Sequence, residues 1–197
     1  MSDEHASLPI AARVRRLEER LIEAGVLTDA ELDHALDRFL ASASPTNGAR
    51  LVARAWVNPG FRGLLLGDAP AALTHLGLTE RMHAATGEIL RVVENTPGRH
   101  NVIVCTLCSC YPVGLLGPSP SWYKSPAYRA RVVREPRAVL AEFGLDLPPD
   151  VEITVWDASA EARYMVLPQR PAGTGALDEA QLARLVTRGG LVGTAAA

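Results

Sequence analysis

Cys105-Thr106-Leu107-Cys108-Ser109-Cys110 holds every cysteine of a 197-residue chain. Cysteines scattered through a core would not gather in one hexapeptide. Their spacing brings the sulfurs to one point only if the backbone curls into a claw. Thiolates are soft donors, suited to zinc, copper, iron or cobalt rather than magnesium or calcium. The sulfur count falls short of an all-thiolate zinc site, and no histidine follows at finger spacing. The backbone can supply the missing donors. The sulfurs of Cys108 and Cys110 would share a plane with the amide nitrogens of Ser109 and Cys110. The two nitrogens close a five-membered chelate ring, as do the nitrogen and sulfur of Cys110. The Cys108 sulfur and Ser109 nitrogen close a six-membered one. Cys105 caps this square from below, and the remaining position stays open, as a catalytic metal requires. Neither 109 nor 110 is proline, so both amides have a proton to lose. Anionic amides favour a highly charged ion, trivalent cobalt or iron.

Outward from the claw, Ile89 to Val93 and Val102 to Val104 read as strands joined through Asn95-Thr96-Pro97-Gly98. The claw thus follows the end of a strand, a rigid support for a metal. Val151 to Trp156 and Arg163 to Leu167 predict a hairpin. Gly114 to Ser121, rich in Gly and Pro, predicts a loop with little regular structure. Ser125-Pro126 opens a helix through about Arg134, Pro136 opens another to Phe143 and Gly144, and Asp178 caps a last one to about Thr187.

Ahead of Ile89 the chain reads as helices. Ser7 caps one ending at Gly25, and Thr28-Asp29-Ala30-Glu31 is a capping box for a second. Pro45, Asn58-Pro59 and Pro70 open three more. The first two have narrow apolar stripes and many charges, so alone they would make a thin core. Helices first and mixed elements after predict an α+β fold. Residues 1–44 predict either a small helical subdomain packed on the rest or a helical arm contacting a partner subunit, and residues 45–197 predict a layered, sandwich-like α/β domain that carries the metal claw.

The bulk composition excludes several classes. A net charge of −2 argues against nucleic acid as a partner. The start Met1-Ser2-Asp3-Glu4-His5 has no secretory pattern, and no run is long enough to span a bilayer. An odd number of cysteines without a signal points to the cytoplasm. His75, His83 and His100 lack metal-binding spacing and read as ordinary.

The stretch Val104 to Pro112 resembles the metal claw of nitrile hydratase α subunits and of the homologous thiocyanate hydrolase γ subunits. The resemblance extends to Asn47-Gly48-Ala49-Arg50, Arg54-Ala55-Trp56-Val57, Val93-Glu94-Asn95-Thr96-Pro97, Trp122 to Arg129, and Arg163 to Pro171. It runs from about Leu17 to Gly193. It implies Cys105, Cys108, Ser109 and Cys110 as metal ligands. Cys108 would be oxidised to sulfinate and Cys110 to sulfenate, with Cys105 left as thiolate. Cys108, Ser109 and Cys110 would be the catalytic residues, the Cys110 sulfenate serving as nucleophile or base. Thr106 marks the non-corrin cobalt(III) form, with iron(III) as the alternative. Arg163 matches an arginine that supports the claw, although a lone arginine on a strand is otherwise a weak surface ion pair.

The same resemblance implies a β-type partner subunit supplying two arginines to the oxidised sulfurs, a cobalt-insertion activator protein, and a nitrile substrate hydrated to its amide. Tyr111, Trp122 and Tyr128 read as packing residues. Arg129, Arg131, Arg134 and Arg137 read as one basic surface cluster. Three positions depart from the family. Val113 stands where Trp is usual, Thr86 where Gln is usual, and Gly189 where Asp is usual. The first two widen the expected substrate pocket and point to a bulky, heteroaromatic nitrile such as the cyano-deazapurine nucleoside toyocamycin. The alternatives are a thiocyanate hydrolase γ-type subunit, against which the apolar Val113 argues weakly, and a metal-binding or redox-sensing protein without turnover.

Overall fold

A computed structural model of the chain describes residues 9–78, 89–108 and 110–197. The chain divides into two compact units, Met1–Ala41 and Ser42–Ala197. The first contains α1 (Pro9–Glu23) and α2 (Asp29–Ser42, whose last residue falls past the division). The expected cap at Ser7 lies outside the described residues. The capping box at α2 forms: Glu31 N–H donates to Thr28 Oγ1 at 3.2 Å, and Thr28 N–H donates back to the Glu31 carboxylate at 2.9 Å. α1 buries no residue. Ile10, Val14 and Leu17 on α1 and Leu36, Phe39 and Leu40 on α2 are all exposed.

The second unit opens with α3 (Pro45–Val57), α4 (Pro59–Gly67) and α5 (Ala69–His75). Each starts on a polar cap followed at once, or after one residue, by proline, whose fixed φ suits the first turn. Ser44, Asn58 and Asp68 accept from the backbone N–H of Thr46, Phe61 and Ala71. α3 is the central helix, with Leu51, Val52 and Ala53 fully buried. At Gly48 a Cβ would lie 2.8 Å from Leu191 Cδ1 and 2.9 Å from the Leu115 carbonyl oxygen, so the close packing there requires glycine.

Four strands follow: β1 (Ile89–Glu94), β2 (Arg99–Val104), β3 (Glu152–Asp157) and β4 (Ala162–Leu167). Their pairing differs from expectation. β3 and β4 do not form a hairpin. β1 pairs with β4 and β2 with β3, both in parallel. The reason lies in the linkers. Just past β3, Ala158 N–H donates to Val104 O at 2.7 Å. Just before β4, Glu161 O accepts from Ile89 N–H at 2.8 Å. Each end of the β3–β4 connection is thereby committed to a different strand. β1 and β2 meet in one antiparallel bridge, Thr96 with Arg99, and separate beyond it. Asn95 places its side-chain oxygen 2.7 Å from Asn101 N–H, and the Asn101 amide donates to Glu94 O at 2.7 Å. Side chains take the bonds a hairpin ladder would have used.

Between β2 and β3 lie α6 (Val113–Leu116), α7 (Ser121–Lys124), α8 (Pro126–Arg134) and α9 (Pro136–Glu142). α6 is a single turn that runs into the segment expected to be a loop, and α7 is a second single turn that starts at its end. Leu115, Leu116 and Tyr123 on them are fully buried, and that burial holds the turns despite the Gly and Pro content. The last predicted helix is shorter than expected, α10 (Glu179–Ala183), capped by Asp178, and a further helix not read from the sequence follows, α11 (Arg188–Val192), capped by Thr187. One core joins these helices to the strands through Leu51, Leu65, Leu90, Ile103, Leu140 and Met165. The fold is α+β, with helices first. Among the described residues no helix is long and apolar enough to cross a membrane.

His100 is tied into this core. Its Nδ1 lies 3.2 Å from the Asn95 amide nitrogen, a donor, so Nδ1 accepts. Nε2–H then donates to Gly193 O at 2.7 Å. Gly193 has φ +90, and a Cβ there would overlap the Asn101 carbonyl. Burial holds the His100 pKa below its ordinary 6.5, the bond to Gly193 opposing in part. The folded chain therefore stays neutral at pH values where the unfolded chain takes up a proton. The contribution is complete above about pH 6.5 and is lost as pH falls through the lowered folded value. Chemical denaturation should show a midpoint that falls from pH 7 to pH 5. His100→Gln should flatten that dependence and cost about 1–3 kcal/mol at pH 7 by leaving buried partners unpaired.

Candidate metal centre

The claw begins where β2 ends. Cys105 is buried, Cys110 half-buried and Cys108 exposed. Cys105 Sγ and Cys108 Sγ are 3.3 Å apart, and Cys108 Sγ and Cys110 Sγ are 3.1 Å apart. All three sulfurs lie within 4.8 Å of one another. A zinc-like ion sits about 2.3 Å from a thiolate sulfur, so two sulfurs at a right angle around it are about 3.3 Å apart. The spacing fits a soft cation. Cys108 N–H donates to Cys105 Sγ at 3.3 Å, which draws the turn inward.

The Cys110 thiol alone resists ionisation. Burial, and then the hydrogen bonds with Cys108 and Cys105, push the Cys110 thiol up to about 12, while the charge of Arg163 works the other way. A bound cation would remove this penalty, since metal ligation requires the thiolate. The donor set therefore fits a soft metal ion that neutralises clustered negative charge.

The backbone of the claw is held from several directions. Asp157, at the end of β3, accepts from Thr106 N–H at 2.9 Å and from Thr106 Oγ1 at 2.6 Å. Tyr123 on α7 donates to Cys110 O at 2.9 Å. Tyr128 on α8 donates to Ile103 O at 2.7 Å, at the strand leading into the claw. Arg129 Nη1 donates to Cys108 O at 3.0 Å and to Thr106 O at 3.4 Å. Arg163 donates to Ser159 O and Ala160 O, and its charge reaches Cys110 from β4.

The other expected residues fall as follows. Ser109 and Thr86 lie outside the described residues. Val113 opens α6 half-buried, with part of its surface against the core. Tyr111, Trp122 and Tyr128 pack as expected: Tyr111 meets Tyr123 edge-on at 4.9 Å, and Trp122 meets Tyr128 at 5.0 Å. The four arginines around α8 do not form one basic surface. Arg129 turns to the claw, Arg131 pairs with Glu135 and Glu142, and Arg137 donates to the carbonyls of Leu147, Pro148 and Val151. Opposite charges and free carbonyls nearby pull the side chains apart.

Asp157 and Tyr123 were not singled out from the sequence. Asp157 becomes a claw residue only through the parallel β2–β3 register, which sets it opposite Val104. A concavity of 460 Å³ beside Arg91, Trp156 and Tyr164 and another of 530 Å³ beside Ala49, Arg50 and Arg184 are lined by no claw residue.

Residues 8–195 match the family described as nitrile hydratase, alpha chain. The low-molecular weight cobalt-containing nitrile hydratase subunit alpha of Rhodococcus rhodochrous is 53% identical over 184 residues, covering 93% of this chain and 87% of that protein. The thiocyanate hydrolase subunit gamma of Thiobacillus thioparus is 44% identical over 184 residues, covering 90% of this chain and 75% of that protein. A solved structure of a double mutant of the Fe-type nitrile hydratase from Comamonas testosteroni Ni1 superposes with a TM-score of 0.87 at 44% identity, covering 94% of this chain and 89% of that one.

Thr106 is the hinge on which the claw turns back. Asp157→Ala removes both of its side-chain anchors. In metal-free protein the alkylation of Cys105, which is 1% exposed, should accelerate by at least about tenfold, the loss expected for a charge-assisted hydrogen bond. Peptide mass spectrometry of timed alkylation reads this, and the folded fraction by circular dichroism should be unchanged.

Proposed function

The chain belongs to the nitrile hydratase alpha-chain family, and we propose that it is the metal-bearing subunit of an enzyme that adds water to a bulky, heteroaromatic nitrile, R–C≡N + H₂O → R–C(=O)NH₂. The observation that carries this reading is the convergence of the Cys105, Cys108 and Cys110 sulfurs at the end of a buried strand. Cys105, Cys108, Cys110 and the backbone nitrogens of Ser109 and Cys110 would hold the ion. Cobalt(III) is the ion proposed, supported by Thr106 and by the cobalt-containing relative, with iron(III) as the alternative because an Fe-type structure is also similar. When bound, the metal supplies Lewis acidity that polarises the nitrile. The sulfurs of Cys108 and Cys110 carry oxygen in the active form, and the oxygen on Cys110 acts as nucleophile or base. Asp157, Tyr123 and Arg163 keep the claw backbone and the Cys110 sulfur in place while substrate enters from the open side.

A partner subunit is part of this reading. Leu107, at the claw tip, is 90% exposed, an unusual position for an apolar side chain beside a reactive centre. A β-type subunit covers it and supplies donors to the oxidised sulfurs. The apolar side chains exposed on α1 and α2 support reading residues 1–44 as the arm that embraces this partner. An activator protein delivers cobalt, and assembly takes place in the cytoplasm. The thiocyanate hydrolase reading draws on the similar γ subunit, but the apolar Val113 suits a neutral substrate better than an anion.

Metal analysis of the purified complex with mass spectrometry of the claw peptide tests the centre. Stoichiometric cobalt is expected, with two oxygens on Cys108, one on Cys110 and none on Cys105. Zinc on three plain thiols would refute it. Cys105→Ser, Cys108→Ser and Cys110→Ser should each lower metal content and hydration by at least about a hundredfold, since a missing ligand leaves the others unconstrained.

Val113→Trp tests the pocket. Refilling an isopropyl site with an indole should cut activity on a heteroaromatic nitrile such as toyocamycin by about tenfold or more while keeping or raising that on acetonitrile. Equal effects on both substrates would show that residue 113 does not set specificity.

A further inference from the structure

We propose that Arg129 is a positioning residue for the metal claw: its guanidinium fixes the curl of the backbone and takes up negative charge from the ligating peptide at its carbonyl oxygen. This rests on the reading of the claw as a metal centre.

The geometry is specific. In an extended strand, carbonyls two residues apart are separated by roughly 6.6 Å. Here one nitrogen, Arg129 Nη1, lies 3.0 Å from Cys108 O and 3.4 Å from Thr106 O. Only a curled backbone brings both to one donor. The guanidinium is itself well placed to hold that curl. It projects from α8, and the preceding residue, Tyr128, is buried and bonded to Ile103 O at 2.7 Å, just upstream of Cys105.

The choice of carbonyl adds a chemical reason. The peptide joining Cys108 to Ser109 has its oxygen on Cys108 and its nitrogen on Ser109. A peptide nitrogen that ligates as an anion shares its charge by resonance with the oxygen of the same peptide. That oxygen is the nearer one Arg129 touches. A hydrogen bond from a guanidinium strengthens as its acceptor becomes anionic. Arg129 therefore favours the ligating form of the claw over the empty one.

The charge state of Arg129 supports the assignment. Its Nε is buried without a hydrogen-bond partner among the described residues. No carboxylate among them pairs with it, whereas Arg131, two positions on, pairs with two. Burying part of a cation against neutral carbonyls alone is costly. The anionic claw provides the missing counter-charge.

The test uses the complex with its partner subunit, comparing the wild type with Arg129→Gln, Arg129→Lys and, as a control, Arg131→Gln. Metal content, the rate of cobalt loss to a chelator and the sulfur-to-metal charge-transfer absorption are read in each. Arg129→Gln should release metal at least about tenfold faster and shift the absorption band. Arg129→Lys, which keeps the charge without the fork, should fall between, and Arg131→Gln should match wild type. If Arg129→Gln fails to assemble, Arg129→Lys decides by the same readouts. Unchanged release and an unchanged band in a metal-loaded variant would overturn the proposal. So would faster release with an unshifted band, which would reduce Arg129 to a brace. A wild-type complex without metal would instead overturn the metal-centre reading, and this proposal with it.

Discussion

The parallel ladder between β2 and β3 sets Val104 opposite Asp157, and the claw depends on that register. Parallel strands deliver their ends at the same edge of a sheet. The end of β2 becomes Cys105, and the end of β3 becomes the carboxylate that holds Thr106 by its N–H and hydroxyl. An antiparallel partner ending at that residue would have carried Asp157 to the far edge and left the first turn of the claw unanchored. The connection that enforces this is long, because parallel pairing needs a crossover. Helices α6 to α9 fill it and bring Tyr123, Tyr128 and Arg129 to the claw on the way.

Most of what was local was legible in the sequence. The sulfur cluster, the Ser-Pro and Asn-Pro helix starts, the Thr28 capping box, the Asp178 cap and the strand segments all have signals within a few residues. Partner choice among the strands does not. β3 and β4 look like a hairpin because each has strand propensity and a short link joins them. The hydrogen bonds that separate them, from Ala158 to Val104 and from Ile89 to Glu161, span long sequence distances and leave no periodic trace. Arg129 was obscured by its neighbours for a similar reason. In a run with Arg131 and Arg134 its charge reads as surface, and only the direction of α8 turns it toward the claw.

The claw has two faces with different physical demands. Its backbone face is supported by carboxylate, phenol and guanidinium, each bonded to an identified atom. Its sulfur face is exposed at Cys108 and Leu107. Bringing thiolates together costs free energy through mutual repulsion and desolvation, as the raised Cys110 thiol reflects. A cation offsets that cost directly. The fold of this chain therefore prepares half of a site.

Tyr123 and Tyr128 make the prepared half insensitive to conditions. Burial pushes both phenols above the ordinary tyrosine range, so each remains a donor at neutral pH. Their acceptors, Cys110 O and Ile103 O, lie at the exit of the claw and just before its entry. These bonds pin both ends, and Asp157 and Arg129 hold Thr106 and Cys108 between them. A frame held at both ends and in the middle keeps three sulfurs gathered against their mutual repulsion.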